Sequence, residues 1–195
     1  MTFIHFVRHG EVHNPQQILY GRRPYFRLSA AGKLHAERAA SYLRAYPVVA
    51  VYSSPLLRAR QTARPIAASF GLSPRISLLL NEVSTPYEGR PLAEFLSLPD
   101  PYSNIPAEYE RPEDLLARVR RFIRREARRF PGQHVVAVTH GDIIHTIWTW
   151  AGFITVASPA PGQARTYPAP GSITSVQVDA HGQALGVKYW DPGLA

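Results

Sequence analysis

The chain has 195 residues, 45% hydrophobic and 18% charged, a balance that suits one globular domain with a sizeable core and excludes disorder as the default. It contains no cysteine, which excludes disulfides, thiolate metal sites and a cysteine nucleophile. The net charge of +8 admits anionic partners, whether nucleic acid, acidic lipid or small anions.

The amino terminus, MTFIHFVRHG, has no long apolar segment after a basic start and does not read as a signal peptide. Residues 2–8 (TFIHFVR) read as a buried strand that ends in Arg8-His9-Gly10. Residues 29–46 read as a helix with Leu34, Arg38, Ala39, Tyr42 and Tyr46 near one stripe, and 48–54 as a second strand. A second helix is expected over 54–71. Ser54 suits its N-cap, Pro55 its first position and Gly71 its stop, and Pro65 should kink it. Residues 75–83 form a short strand or extended segment.

The segment 84–114 is rich in proline and tyrosine and is long for a connection. It is expected to act as a lid over about 84–112, with a short helix near 92–98. A basic amphipathic helix follows. Leu115, Leu116, Val119, Phe122, Ile123, Ala127 and Phe130 share its apolar side, and the arginines of 118–129 fill the other as a solvated face. Residues 134–140 (HVVAVTH) are a continuous apolar run of the parallel-sheet kind, followed by a helix over 142–152. The stretch 143–157 is too short and too punctuated to span a bilayer, so no membrane partner and a cytoplasmic location are expected. The Pro-, Ala- and Gly-rich stretch 153–171 reads as a second long loop, and 173–190 as a hairpin turning near His181 and Gly182. Strands alternating with helices predict a single α/β domain over 1–195. Its form is a three-layer αβα sandwich with a mostly parallel central sheet and an antiparallel edge hairpin.

Three predicted strands end in groups that can hold an anion: Arg8-His9-Gly10, Ser53-Ser54 with Arg58 in the following helix, and Thr139-His140-Gly141. In open α/β sheets the ligand crevice lies at the carboxyl ends of the strands. If the three strands are parallel neighbours, Arg8, His9, Arg58 and His140 converge there, with two helix N-termini adding a favourable dipole.

These stretches, in this order, resemble the histidine phosphatase superfamily, in the branch that includes the cofactor-dependent phosphoglycerate mutases. Residues 8–32, 53–63 and 135–144 are similar to its two histidine motifs and second arginine motif, and 80–89 is similar to the segment that supplies its acid. The resemblance implies that His9 is a nucleophile forming a phosphohistidine, that Arg8 and Arg58 clamp the nonbridging oxygens, and that His140 stabilises the transferring group. It implies Glu82 as general acid, with Glu88 and then Glu11 as alternatives, Glu11 being better suited to orienting its loop. Asn14 and Gly21 match positions that touch phosphate or substrate, and Gly141 lies beside His140.

The expected activity is hydrolysis of phosphomonoesters of small molecules. The alternatives are a mutase-type phosphotransferase and a non-catalytic phospholigand or nucleic-acid binding module. The short chain and the missing lysine-tyrosine-glycine segment favour hydrolysis, and no core residue is lost, as a binding module would predict. The basic helix lacks the interleaved aromatics of a nucleic-acid surface. His5, His9 and His13 are spaced by four but fall on a strand and its tip, so no metal and no cofactor are expected. The sequence carries no signature of oligomeric state.

Overall fold

Strands β1 (Thr2–Arg8) and β4 (His134–Thr139) lie side by side in parallel register, with Phe3 opposite His134 and Arg8 opposite Thr139. The computed structural model that holds them describes residues 1–153 and 167–193. On the far side of β4 runs β2 (Val48–Ser53), also parallel, and beyond it the two-residue β3 (Arg75–Ile76). On the far side of β1 the hairpin of β5 (Ile173–Val178) and β6 (Ala184–Trp190) pairs antiparallel. The described strands therefore run β3-β2-β4-β1-β5-β6, a mostly parallel sheet with an antiparallel edge.

Alternation along the strands sends side chains to two cores. Val7, Val51, Val136 and Val138 face helices α1 (Ala30–Leu43) and α2 (Leu57–Ala68). Ile4, Phe6, Val135 and Ala137 face α4 (Pro112–Arg129) and α5 (Gly141–Trp150), the short α3 (Leu92–Leu96) lying between α2 and α4 in sequence. This is the three-layer αβα sandwich expected. The apolar side of α4 is buried as its spacing predicts, through Leu115, Val119, Phe122, Ile123 and Ala127.

Two local expectations are corrected. The buried stripe of α1 is Gly32, Ala36, Ala39, Ala40 and Leu43, while Leu34 is 56% exposed. Small residues line this stripe where α1 packs closely on α2, and hydropathy underweights them. Helix α2 begins at Leu57 rather than at Pro55, and Ser54 does not act as a side-chain cap because its hydroxyl is bonded to His140 instead. Residues on both sides of Pro65 remain helical, and the Ser69 amide donates to the Pro65 carbonyl at 3.1 Å. Gly71, in the left-handed region at φ +66°, closes the turn after the helix.

Residues 84–111 fold as turns around α3 and are sewn to the loop after β1. Leu92 donates to the Gln17 carbonyl at 2.7 Å, and Leu19 and Gly89–Arg90 exchange bonds of 2.8 Å. Most of the loop expected over 153–171 lies outside the described residues. No helix among the described residues is long and apolar enough to cross a membrane. Replacing buried Leu43 by Ala should cost about 2–5 kcal/mol in urea unfolding, whereas Leu34→Ser should stay within about 0.5 kcal/mol. Equal costs at the two positions would contradict the burial assignment on α1.

Candidate active site

The parallel register carries the tips of β1, β2 and β4 to one edge of the sheet. Past the ends of the strands the chains stay zipped: His9 donates its backbone N–H to Thr139, and Ser54 to Val138. Arg8 and His9 leave β1, Ser54 and Arg58 follow β2, and His140 follows β4 into the first turn of α5. The imidazoles of His9 and His140 meet edge to face, 5.2 Å between centroids. Arg8, His9, Glu82 and Gly141 line one cavity of about 570 Å³.

His9 is buried, and its Nδ1 lies 2.8 Å from the carbonyl oxygen of Gly10. A carbonyl only accepts, so Nδ1 carries the proton and Nε2 holds the lone pair. The Nε–H of Arg58 donates to that nitrogen at 3.2 Å. Burial, then the charges of Arg58 and Arg8, hold the His9 pKa well below its usual value, outweighing the Gly10 bond that raises it. The ring is neutral with its lone pair forward.

Arg58 is fully buried, and its partners divide its surface. Nη2 donates to the Gly21 carbonyl at 2.6 Å, the Tyr20 ring lies 4.6 Å beneath the guanidinium carbon, and the Glu82 carboxylate is 4.0 Å away. Arg8 reaches the Pro168 carbonyl, lies 5.0 Å over the Tyr167 ring, and keeps its buried Nε without a hydrogen-bond partner.

Glu82 is buried beside both imidazole and guanidinium. Its Oε1 accepts from the Val83 amide at 2.9 Å, and its Oε2 lies 3.4 Å from His140 Nδ1. Burial and the nearby charge of Asp142 raise its pKa to about 7, against the opposing pull of Arg58. His140 Nε2 is 2.7 Å from the Ser54 hydroxyl, and Nδ1 has no hydrogen-bond partner. Burial and Arg58 keep this ring neutral as well. The segment carrying Glu82 is clamped from behind. Arg118 of α4 donates to the Leu79 and Asn81 carbonyls at 3.0 and 2.8 Å and grips both oxygens of Glu110, while Arg22 donates to the Glu82 carbonyl at 2.8 Å.

The other expected residues separate. Gly21 adopts φ +40°, and a Cβ there would lie 2.5 Å from the Glu88 side chain, so glycine lets its carbonyl reach Arg58. Gly141 lines the cavity, where a Cβ would lie 2.2 Å from the Tyr167 hydroxyl. Asn14 is not among the cavity-lining residues; its amide closes the 14–18 turn through bonds to Ile18 of 2.8 and 3.3 Å. Glu88 accepts the Arg22 amide at 2.6 Å, and Glu11 accepts the Ser29 hydroxyl at 2.6 Å, both outside the cavity lining. Tyr20, Asp142, His145 and Tyr167 join the site's surroundings without having been singled out as site residues in the sequence, while Ser54, read as part of a strand end that can hold an anion, meets His140 there. The position of Tyr20 beside Gly21 and of Asp142 beside Gly141 offered a hint.

The histidines spaced by four part company. His5 is bonded to His134 at 2.9 Å and to Ser175 at 2.8 Å, and His13 sits exposed in a loop. Ligand atoms of His9, Glu82 and His140 do lie within 4.8 Å of one another. A metal ion there would sit against the Arg58 cation, which already occupies the His9 lone pair, so the electrostatics favour an anionic guest. Two guanidiniums, two neutral imidazoles and a carboxyl of raised pKa can bind a tetrahedral oxyanion, present a nitrogen lone pair to it and deliver a proton.

Comparison with known proteins agrees with this architecture. The family model for the histidine phosphatase superfamily (branch 1) matches residues 4–190. The uncharacterized protein Rv0525 of Mycobacterium tuberculosis is 36% identical over 201 residues, covering 98% of this chain and 96% of that one. The uncharacterized phosphatase PhoE of Bacillus subtilis is 31% identical over 153 residues, 76% of this chain and 77% of its own. Among solved structures, Bacillus stearothermophilus YhfR matches with a TM-score of 0.79 at 24% identity, covering 94% of both chains. The mycobacterial glucosyl-3-phosphoglycerate phosphatase Rv2419c matches at 0.74 and 23%, covering 96% of both, and these two likenesses bear on the fold. With its sheet order, its strand-end histidines and a family match from the first strand to the last, the chain belongs to the histidine phosphatase superfamily.

Proposed function

We propose that the protein hydrolyses phosphomonoesters of small molecules through a phosphohistidine on His9, with no metal or other cofactor. The observation that carries this reading is the His9 ring. Its Nδ1–H is fixed on a carbonyl, and its Nε2 lone pair faces a buried guanidinium 3.2 Å away. A phosphoryl oxygen is the natural replacement partner for that guanidinium. The unpartnered, buried Arg8 Nε and His140 Nδ1 support the same guest, since buried donors are ordinarily satisfied. The names of relatives and neighbours, among them phosphatase PhoE and the glucosyl-3-phosphoglycerate phosphatase Rv2419c, favour hydrolysis over mutase-type transfer.

In the first step Nε2 attacks phosphorus. A P–N bond forms, the P–O bond to the alcohol breaks, and protonated Glu82 gives its proton to the departing oxygen. Arg8 and Arg58 hold the nonbridging oxygens. The Ser54 hydroxyl donates to His140 Nε2, leaving Nδ1–H to stabilise the equatorial charge. In the second step water attacks phosphorus while ionised Glu82 takes its proton; the P–N bond breaks and inorganic phosphate leaves. Residues 84–111, tied to the loop after β1, act as the cover that limits water.

A phosphomonoester panel assayed with a chelator present tests the activity. Turnover should persist with the chelator and vanish in His9→Ala; a requirement for added metal would sink the proposal. Arg58→Ala should lower kcat by about 10²–10³ in protein that still folds by circular dichroism, and Arg58→Lys should recover little of it, because lysine cannot span two oxygens. Full turnover in a folded Arg58→Ala protein would remove Arg58 from the clamp.

The pH dependence follows from Glu82. The first step needs its protonated form, so kcat/KM should hold in mild acid and fall as pH rises through about 7. His9, held below its usual pKa, should not limit the acid side near pH 6. Glu82→Gln should be slow and should lose the falling limb; an unchanged limb would assign it to another group.

A further inference from the structure

Glu82 is aimed by its own backbone. Its Oε1 accepts the Val83 amide at 2.9 Å. The carbonyl of that same peptide accepts Arg22 Nε at 2.8 Å and Arg118 Nη2 at 3.3 Å. A peptide unit is planar, with its N–H and C=O on opposite edges. The two guanidiniums that hold the carbonyl therefore also set the direction of the N–H.

That direction bears on the proton. The oxygen of a protonated carboxyl that accepts an amide is its carbonyl oxygen, so the O–H falls to Glu82 Oε2. Oε2 is the oxygen turned inward, 3.4 Å from His140 Nδ1 and 4.0 Å from Arg58. The Val83 amide thus assigns the proton of the acid to one of two atoms, as the Gly10 carbonyl does for His9.

One carboxylate holds both guanidiniums. Glu110 Oε2 accepts Arg22 Nη2 at 2.7 Å, Arg118 Nη2 at 2.9 Å and the Ser84 amide at 2.9 Å, and its Oε1 accepts Arg118 Nε at 2.8 Å. The Glu110 amide in turn donates to the Ser84 carbonyl at 3.1 Å. Burial opposes the charge on Glu110, but the bonds from Arg118 and Ser84 and the charges of Arg118 and Arg22 overcome it and hold its pKa below the usual value. Glu110, Arg22 and Arg118 all stand outside the cavity lining, so they act on the site through Glu82.

We infer that Glu110 is a positioning residue for the acid: through Arg22 and Arg118 it fixes the Glu82–Val83 peptide, so that the Val83 amide holds Oε1 and Oε2 carries the proton toward the leaving oxygen. This rests on the hydrolase reading above and adds to it the group that aims the proton donor.

Two esters of similar size separate aim from fold. 4-Nitrophenyl phosphate releases a stable phenolate and needs little protonation, whereas 4-nitrobenzyl phosphate releases an alkoxide and needs the acid. In Glu110→Gln, kcat/KM for the benzyl ester should fall about 100-fold, and that for the phenyl ester should stay within about threefold. Arg22→Ala, which changes a half-buried loop side chain, should shift the same ratio about tenfold, and it carries the test if Glu110→Gln does not fold. Glu94→Gln breaks an exposed ion pair of the same segment and should leave the ratio unchanged. Equal losses on the two esters, no loss on either, or the same shift of ratio in Glu94→Gln overturns the assignment while hydrolysis itself stands. If the native protein turns over neither ester, the hydrolase reading fails, and NMR of the Val83 amide decides the positioning role. That resonance should follow the Glu82 titration near pH 7 in the native protein and lose it in Glu110→Gln and Arg22→Ala. A Val83 amide that titrates alike in native protein and variants, or not at all, overturns it.

Discussion

The hydrogen bond from His9 Nδ1 to the Gly10 carbonyl sets the tautomer of the buried ring on which the proposed chemistry depends. At 2.8 Å from an atom that can only accept, Nδ1 keeps the ring proton, and the lone pair is left on Nε2. The bond is local, but its consequence is set by long-range pairing. β1 carries His9 to the edge where β4 delivers His140 and where α2 brings Arg58 after β2. A one-residue slip of β1 would turn every side chain to the opposite face and dismantle the cluster. The two apolar cores that specify the register therefore also specify the site.

Burying so many ionisable groups is costly unless each has a partner. Arg58 is offset by the Gly21 carbonyl, the Tyr20 face, the His9 lone pair and the nearby Glu82. The same burial sets the proton bookkeeping: both imidazoles are driven neutral, and Glu82 is raised to about 7. In the proposed mechanism a nucleophile that must be neutral and an acid that must hold its proton would obtain both states from one low-dielectric environment. The basic helix contributes as well. Arg118 and Glu110, together with Arg22, fix the segment in which Glu82 sits, so part of the positive charge that looked like solvated surface is structural.

Much of this was legible in the sequence where local pattern and final environment coincide. Continuous apolar runs marked β1, β2 and β4, and polar residues at their tips marked the site. The α1 stripe was not legible, because its interface is built from Ala36, Ala39 and Ala40, whose weak hydropathy is outvoted by the solvent-facing Leu34. Ser54 read as a helix cap because capping is a local rule, whereas its actual partner, His140, is 86 residues away. Asp142 and Tyr167 were missed for the same reason: an acid in a first helical turn and a tyrosine in a loop have ordinary local explanations. Their pairing exists only once α5 and the chain before β5 come together. The ranking of Glu82 ahead of Glu88 and Glu11 was read from the resemblance, and of these three Glu82 is the one that lines the cavity.

The most direct measurement is rapid acid-free quenching of the protein during turnover of a phosphorus-labelled ester, followed by peptide mapping and nitrogen-resolved NMR of the labelled residue. The account predicts label that is lost in acid and kept in base, on the peptide containing His9, with phosphorus on Nε2. Label on Nδ1, on His140 or on a carboxylate, or steady turnover in which no labelled protein ever accumulates even with the second step slowed by Glu82→Gln, would contradict it.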